Sequence, residues 1–360
     1  MKIVVAMSGG VDSSVAALLL KQQGYQIIGI SLRLTDNSEQ KDKNRCCSFN
    51  DLTDARQVCD QLSIPFYVID LRREFLENVI KPFALIYKSG KTPIPCITCN
   101  DLIKFGYLYK TAIKLKAQLA TGHYAKIISY KGVLTIARPV DKTRDQTYYL
   151  YGTNSEIIQN LHFPLGIFHK REIREIAKQN QIKVYSKSDS NEICFVPNGN
   201  HATIVEKYAA NIPAGSLINT DLTTISKHEG IHNFTIGQRR GLKIGGLKER
   251  SYVVDINPIS NDVTIGSRSH LSCSKIKINK INILVPTSMW PKIVYVQIRS
   301  QHVAQRAHWQ AIKDHNEIYL TFLESIFSIS LGQSSAIYDE NILLGGGIIN
   351  GRLDGDFPRE

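Results

Sequence analysis

A short glycine-containing segment near the start of the chain has the residue types of an anion-binding site. Residues 8–13 have the sequence Ser-Gly-Gly-Val-Asp-Ser and follow the apolar, β-branched run Ile3, Val4 and Val5. A strand, a glycine turn and a helix start in succession leave unpaired backbone N–H groups where a phosphate can approach closely. The Lys-Ser/Thr pair that closes a Walker P-loop is absent from this segment, so a different phosphate loop is indicated. An ordinary tight strand-to-helix turn is the alternative interpretation.

Cysteines supply a second candidate chemistry. Cys96 and Cys99 form a C-x-x-C pair just after two prolines, and Cys194 lies in a polar stretch between apolar neighbours. The prolines hold the chain extended, so we expect Cys99 to lie near the start of a helix, where the helix dipole would lower its pKa from the usual thiol value of about 8.5 and favour the reactive thiolate. Zinc binding together with Cys46 and Cys47 is the alternative for the pair. Burial without reactivity is the alternative for Cys194.

The composition is that of a basic globular protein. The 360 residues are 43% hydrophobic and 21% charged, which argues against global disorder and predicts two or three domains with sizeable cores. A formal charge of +12 favours a polyanionic partner such as nucleic acid. Seven cysteines, an odd number, argue against a disulfide framework, and Cys59 and Cys273 are predicted to be buried and unreactive. The apolar runs are too short for a bilayer and the first residues lack a signal-peptide pattern, so we expect a cytoplasmic protein with no membrane partner.

Alternating strand and helix patterns predict a doubly wound parallel sheet in the first part of the chain. Ligands of such sheets lie beyond the carboxyl ends of the strands, which is where the loop at residues 8–13 falls. The polar stretch 35–48 is predicted to be a loop beside the same edge. The other predicted elements are strands over 26–34 and 65–71, helices over 51–62 and 74–88, and a hairpin over 126–137.

From about Ala202 helical periodicity fades and short β-rich segments follow one another. Glycine, proline and asparagine separate these segments, which predicts a small mixed domain and then a C-terminal β-barrel. The barrel is expected to close with 335–338 and 342–344. The expected domains are an α/β domain over 1–205, a small central α+β domain over 206–274 and a β-barrel over 275–360.

Taken together, these segments resemble a known family. The loop at residues 8–13 is similar to the S-G-G-x-D-S loop of the N-type ATP pyrophosphatases, or PP-loop enzymes, which split ATP to AMP and pyrophosphate. Further segments occur in the order and at about the spacing of the bacterial tRNA-specific 2-thiouridylases; they are 92–100, 121–125, 145–150, 193–195 and 234–241. The resemblance covers essentially the whole chain and implies an adenine nucleotide α-hydrolase-like fold for the first domain.

The resemblance implies an enzyme that thiolates the wobble uridine of tRNA at the expense of ATP. In that family the C2 oxygen of the uridine is adenylated, which makes a poor leaving group depart as AMP, and sulfur from a cysteine persulfide replaces it. By position, Cys194 would carry the persulfide. Cys99 would attack that persulfide or the resulting mixed disulfide, so that the two thiols end as a disulfide once the sulfur has moved. The two thiols must approach within bonding distance, so we expect the loop with Cys194 to fold over the first domain.

The same resemblance implies which residues bind the substrates. ATP, with Mg²⁺ to neutralise its phosphates, would contact Ala6, Met7, Ser8, Gly9, Gly10, Val11, Asp12, Ser13, Leu32 and Gly122. The tRNA would contact Ile94, Pro95, Cys96, Arg144, Asp145, Gln146 and Arg299. Some relatives have an acidic residue at the position of Cys96, and this thiol is an alternative to Cys99 as the attacking group. No protein side chain is predicted to ligate a metal. His123 is equally consistent with a core and a functional role, and Tyr148 and Tyr149 are predicted to be core residues.

A sulfur-donor protein, either a cysteine desulfurase or a relay protein, is the expected partner besides tRNA. Two other functions fit parts of the pattern. One is a PP-loop enzyme that acts on a small molecule, similar to GMP synthetase or argininosuccinate synthetase, and the other is a non-catalytic RNA-binding protein with a vestigial loop. The pairing of Cys99 with Cys194 favours thiolation over both.

Overall fold

The computed structural model describes residues 1–35, 49–189, 193–196, 199–242, 244, 250–312 and 316–357. Most of the loop predicted at 35–48, including Cys46 and Cys47, lies outside these described residues.

A parallel sheet with helices on both faces forms the first part of the chain. Its central strand holds Ile3, Val4 and Val5, all fully buried. Ile3 and Val5 pack in one core cluster and Val4 in another, because successive side chains of a strand enter opposite faces. The doubly wound sheet predicted from the sequence is therefore confirmed. The strands, in the order β3-β2-β1-β4-β7, are β1 (Lys2–Ala6), β2 (Gln26–Arg33), β3 (Phe66–Asp70), β4 (Gln118–Ala120) and β7 (Leu161–His162).

The helices that cover the two faces differ in regularity. On the face of Ile3 and Val5 they are α-helical throughout, whereas two long helices on the opposite face each contain a π-helical segment. The first group is α1 (Val11–Gln22), α2 (Phe49–Gln61) and α7 (Lys170–Gln179). The second comprises α3 (Arg72–Phe75), which continues through a π-helical segment (Leu76–Ile80) into α4 (Lys81–Lys88), and α5 (Pro95–Thr98), which continues through a π-helical segment (Cys99–Leu108) into α6 (Tyr109–Lys114). Across the described residues, no helix combines the length and apolar character needed to cross a membrane.

A β-hairpin of the first region reaches over to the C-terminal barrel. It consists of β5 (Lys126–Tyr130) and β6 (Val133–Ala137), as the sequence predicts. The turn residues Lys131 and Gly132 have φ of +50° and +86°, which suits a tight hairpin turn. Ala137 pairs with Ile342 of the last barrel strand, so the hairpin extends the barrel sheet.

A short helix and a small mixed sheet follow. The helix was not predicted. Its N-cap residue, His201, stacks on Tyr87 of α4 with ring centroids 4.3 Å apart, and this contact joins the helix to the first region. The elements are α8 (Ala202–Tyr208), β8 (Gly215–Asn219), β9 (Thr224–His228), β10 (Tyr252–Asn257) and β11 (Asp262–Gly266), with the strand order β10-β11-β8-β9.

The C-terminal strands form a closed barrel of six strands, because the first of them pairs with the last as well as with its other neighbour. This confirms the predicted barrel. Closure removes the exposed edges that an open sheet would present. The strands, in the order β12-β15-β14-β13-β16-β17, are β12 (Ser272–Ile283), β13 (Ile293–Gln297), β14 (Gln305–Ile312), β15 (Glu317–Phe327), β16 (Ser334–Asp339) and β17 (Ile342–Arg352).

A buried ion pair joins the barrel to the central sheet. Arg352 of β17 donates to Asp255 Oδ1 of β10 at 2.9 Å and to the Val254 carbonyl oxygen at 3.1 Å, and both charged side chains are 6% exposed. Replacing Arg352 with Met leaves a buried carboxylate without this cation, so we expect the free energy of unfolding to fall by about 3 kcal/mol. Urea unfolding followed by tryptophan fluorescence measures the loss.

The exposed pair of Arg72 and Asp70, 2.6 Å apart, provides the control for this prediction. Asp70→Asn should change the free energy of unfolding by no more than about 1 kcal/mol, since a solvated pair contributes little. Equal losses in Arg352→Met and Asp70→Asn would contradict the predicted role of the buried pair.

Candidate active site

The loop at residues 8–13 lies at the carboxyl edge of the parallel sheet, between β1 and α1. Gly9 has φ of +72°, and a Cβ atom there would lie 2.2 Å from the carbonyl oxygen of Asp51, so a larger residue does not fit. Gly10 is the N-cap of α1 and has no side chain to accept from the first-turn N–H groups. An anion can therefore take the place of a capping side chain.

Hydroxyl groups hold this loop in shape. The Ser8 N–H group donates to Ser13 Oγ at 3.2 Å, and Ser13 Oγ donates to the Gly10 carbonyl oxygen at 3.1 Å. Ser14 Oγ donates to the same carbonyl oxygen at 2.9 Å. The backbone of the loop is thus fixed by the chain's own hydrogen bonds, which lowers the ordering cost of binding an anion.

Neighbouring strands bring the other predicted nucleotide contacts to this edge. Gly122 follows β4, and a Cβ atom on it would lie 2.9 Å from the Ser13 backbone nitrogen. Leu32 is a buried residue near the end of β2, whose Ser31 hydroxyl donates to the Met7 carbonyl oxygen at 2.6 Å. A residue distant in sequence therefore lies directly beside the loop, and its contact with ATP stays a prediction.

Asp12 of the loop is held by two partners that the sequence analysis did not single out. Lys170 Nζ lies 2.7 and 2.8 Å from the two carboxylate oxygens, and Tyr124 Oη donates to Oδ1 at 2.9 Å. Burial, together with the nearby negative charge of Asp12, raises the pKa of Tyr124 well above its usual range, so the phenol remains a donor. The Lys170 side chain is only 9% exposed.

Lys187 holds the other side of the loop. Its ammonium group donates to the Gly9 carbonyl oxygen at 2.9 Å and to carboxylate oxygens of Asp51 and Asp54 at 2.6 Å each. Burial alone would lower its pKa, but the hydrogen bonds and charges of the two carboxylates raise it. Neither Lys187 nor Lys170 carries a sequence signal that separates it from a solvated lysine.

The cysteine pair occupies the start of a long helix. Proline is well suited to the first helical position, and the helix begins at Pro95. Cys96 therefore lies in the first turn and is exposed, whereas Cys99 lies one turn further in and is buried. The helix dipole argument thus applies more directly to Cys96 than to Cys99, although the prediction assigned it to Cys99.

Cys194 packs against the first region of the chain. It is partly buried and contacts the same core cluster that contains Cys99. Its neighbour Phe195 lies edge-on to Phe75 and Phe83, with ring centroids 5.7 and 5.1 Å apart. The segment that carries Cys194 is therefore anchored on the helices that cover the sheet.

Two other cysteines are buried, as predicted. Burial raises the pKa of Cys59 and of Cys273 to about 12, so both stay protonated thiols at physiological pH. Within the described ranges, no group of three or more His, Cys, Asp or Glu side chains is arranged to hold a metal ion. The zinc alternative that includes Cys46 and Cys47 falls outside the described residues.

The segments predicted to contact tRNA are joined by hydrogen bonds. Ile94 is the N-cap of the helix that begins at Pro95. Further along this helix, Asn100 Nδ2 donates to the Tyr149 carbonyl oxygen at 2.9 Å. Tyr148 is buried and its hydroxyl donates to the Ser334 carbonyl oxygen of the barrel at 2.9 Å. The structure therefore brings the helix start and the turn after Gln146 together against the barrel.

Internal hydrogen bonds occupy Asp145 and Gln146. Asp145 Oδ1 accepts from the Thr147 N–H and hydroxyl groups at 2.9 and 2.7 Å, and Oδ2 forms an ion pair with Arg138. Gln146 Oε1 accepts from the Tyr124 N–H group at 2.9 Å. Contacts of these two side chains with tRNA stay predictions, and their present bonds fix the shape of the turn.

Arg144 and Arg299 differ in exposure to solvent. The Arg144 side chain is 40% exposed and pairs with Asp189 at 3.0 Å. Arg299 is partly buried two residues after β13, and it donates to the carbonyl oxygens of Ile236 and Ser328. Burial lowers the pKa of Arg299 from its usual value. Arg299 thus joins the central region to the barrel, and its contact with tRNA stays a prediction.

His123 is a core residue in this structure. It is buried, and its Nδ1 lies 2.6 Å from the Thr121 hydroxyl oxygen. Burial, followed by the charge of Lys104, lowers the pKa of His123 well below its usual value. The ring is therefore neutral at physiological pH.

A glycine loop lies at the carboxyl edge of a five-stranded parallel sheet, and a mixed sheet and a closed barrel follow this sheet in the chain. These features define a PP-loop enzyme with two appended β-rich regions. Three family models match consecutive parts of the chain. They are described as a tRNA methyl transferase HUP domain over residues 1–198, a tRNA methyl transferase PRC-barrel domain over 202–267 and an aminomethyltransferase beta-barrel domain over 273–349.

Curated relatives match over nearly the full length. A tRNA-specific 2-thiouridylase MnmA from Ehrlichia ruminantium is 41% identical over 352 residues, which are 96% of this chain and 94% of the relative. Proteins of the same name from Zymomonas mobilis and from the Wolbachia of Brugia malayi are 40% and 38% identical; each match covers 97% of this chain, and 93% and 94% of the relative, respectively. The chain belongs to the family of the tRNA-specific 2-thiouridylases, which confirms the resemblance of its motifs.

Proposed function

We propose that the protein is an ATP-dependent tRNA sulfurtransferase that forms 2-thiouridine at the wobble position and releases AMP and pyrophosphate. The observation that carries this function is the combination of a phosphate loop with Cys99 and Cys194 in contact with one core cluster. Methyl transfer, which the family-model descriptions name, needs no site that activates a carbonyl oxygen as an adenylate. Thiolation uses both the loop and the thiols.

The residues around the loop fit ATP as a substrate. Gly9 and Gly122 stand where a side chain would collide with backbone atoms, and Gly10 leaves the start of α1 uncapped. These features suit close contact of phosphate oxygens with backbone N–H groups. The protein holds the phosphates with these N–H groups and with the positive end of α1. Both stabilise the negative charge that develops on pyrophosphate as it leaves.

Mg²⁺ is proposed only as an ion that accompanies the substrate phosphates. Both carboxylate oxygens of Asp12 already accept hydrogen bonds from Lys170, and the part of the chain that the structure describes contains no cluster of potential metal ligands. The side chains of the described residues therefore do not by themselves fit a resident metal.

The proposed sulfur transfer uses the two thiols in sequence. The terminal sulfur of a persulfide on Cys194 bonds to C2 of the adenylated uridine, and AMP leaves with the uridine oxygen. The Cys99 thiolate then attacks Sγ of Cys194, and the electron pair of the broken S–S bond stays with the transferred sulfur. The products are 2-thiouridine and a Cys99–Cys194 disulfide, which a thiol reductant must reduce before the next cycle. Cys99 is assigned the attack because its position matches that of the attacking cysteine in the family, and exposed Cys96 is the alternative attacking thiol.

Two partners complete the proposal. The net charge of +12 supports binding of the tRNA polyanion, which should weaken with salt as bound counterions are released. The second partner is a sulfur-donor protein, either a cysteine desulfurase or a relay protein, which regenerates the persulfide in the cytoplasm.

Nucleoside analysis tests the proposed function. We expect tRNA from cells that lack this protein to lose 2-thiouridine derivatives, and expression of the chain to restore them, as measured by mass spectrometry of digested tRNA. Unchanged 2-thiouridine in such cells would overturn the function. Exchange of pyrophosphate into ATP that requires no tRNA would instead support a small-molecule PP-loop enzyme.

A further inference from the structure

Asp189 lies at a junction of three cationic side chains. Its Oδ1 is 2.8 Å from Lys170 Nζ and 3.2 Å from Arg174 Nη2, and its Oδ2 is 3.0 Å from Arg144 Nη1. Burial alone would raise the pKa of Asp189, but the hydrogen bond from Lys170 and the three positive charges hold it below its usual value. The carboxylate is therefore charged at physiological pH and holds the three cations together.

One of these cations, Lys170 of α7, also contacts Asp12 of the phosphate loop. Lys170 places its ammonium group within 2.8 Å of both Asp12 and Asp189, so two carboxylates from distant parts of the chain share one buried positive charge. In a partly buried site such charges interact strongly. A phosphate bound at the loop would attract the ammonium group of Lys170. Asp189 would then pair more strongly with its two other cations, Arg144 and Arg174.

The other side of the junction faces the predicted tRNA contacts. Arg144 keeps 40% of its side chain exposed while one end of its guanidinium pairs with Asp189. Asp189 also follows Lys187, whose ammonium group contacts the Gly9 carbonyl oxygen of the loop. Asp189 thus connects the nucleotide loop with an exposed arginine.

We propose that Asp189 is a positioning residue that couples occupation of the phosphate loop to tRNA binding through Lys170 and Arg144. This inference rests on the proposed function, since it concerns the same two substrates. A negative charge bound at the loop strengthens the ion pair between Asp189 and Arg144. This pair holds the Arg144 side chain in one position, in which it can bind an RNA phosphate. By linkage, tRNA must raise the affinity for the nucleotide by the same factor.

Binding measurements without turnover test the coupling. The affinity for an unmodified tRNA transcript with a wobble uridine is measured with and without α,β-methylene-ATP, which cannot be split between its α and β phosphates. In the wild-type protein we expect the analogue to raise tRNA affinity by about fivefold or more, and tRNA to raise analogue affinity equally. In Asp189→Asn, whose amide cannot hold three cations, the factor should fall to about 1.

Three comparisons separate positioning from a general structural role. Asp189→Glu keeps the charge and should retain most of the coupling factor, and Asp221→Asn, at an exposed residue of the turn between β8 and β9, should retain all of it. With the analogue present, Arg144→Gln alone should weaken tRNA binding relative to the wild-type protein. The same substitution added to Asp189→Asn should weaken tRNA binding by a smaller factor. A folded Asp189→Asn protein with the wild-type factor, or a wild-type factor of 1, would overturn the inference. A wild-type protein that binds neither ligand would overturn the proposed function as well.

Discussion

Cys194→Ser should reduce 2-thiouridine formation by about a thousandfold or more while adenylation of tRNA stays detectable. A serine hydroxyl cannot carry a persulfide, but it has nearly the same shape, and Phe195 still anchors the segment between Phe75 and Phe83. The phosphate loop belongs to different elements and keeps its own hydrogen bonds. Product nucleosides measured by mass spectrometry report sulfur transfer, whereas pyrophosphate release and the transfer of label from α-labelled ATP to tRNA report adenylation, so the two steps are separated.

The barrel provides a matched control for this substitution. Cys273 is a buried thiol that donates to Asp354 at 2.9 Å, and a serine there can make the same bond. Cys273→Ser should therefore retain both steps. Loss of adenylation in a well-folded Cys194→Ser protein would contradict the separation of roles between the loop and the cysteines.

Asp12→Ala is the second change for which we expect a large effect. It removes the carboxylate that holds Lys170 and Tyr124 at the start of α1 and leaves a buried ammonium group with one carboxylate partner fewer. We expect ATP-dependent turnover to fall by about a hundredfold or more, since misplaced groups at the loop act directly on the activation step. The tRNA affinity measured without nucleotide should stay within a few fold of wild type.

Pyrophosphate release and filter binding of tRNA measure these two outcomes. Asp221→Ala, a substitution at an exposed residue of the turn between β8 and β9, is the control and should leave both unchanged. Turnover in Asp12→Ala equal to that of Asp221→Ala would mean that the loop at residues 8–13 does not hold the phosphates.

Local sequence patterns were sufficient for much of the fold. The period of apolar residues predicts helices and strands that agree within a few residues with α2, β2, β3 and the continuous helix from α3 into α4, because burial of one face depends on neighbours a few positions away. Glycine positions were equally informative, since the positive φ of Gly9 can be inferred from its place between a strand and a helix. The β-rich segments also indicated the closed barrel.

Long-range contacts explain what the sequence missed. The extension of the barrel sheet by the β5–β6 hairpin depends on one pairing between Ala137 and Ile342, which no local pattern encodes. The bonds that occupy Asp145 likewise come from Arg138 and from a turn whose geometry is set by the barrel.

The sequence by itself determined the phosphate loop, the two thiol segments and the order of the domains, since each depends on residue types at short spacing. Only the tertiary structure decided how Lys170 and Lys187 hold that loop, that Cys194 contacts the cluster of Cys99, and that Asp189 gathers its three cations. The physical reason is that a charged side chain in an amphipathic helix or a polar turn looks solvated in sequence. Its role appears only when folding removes it from water beside an opposite charge.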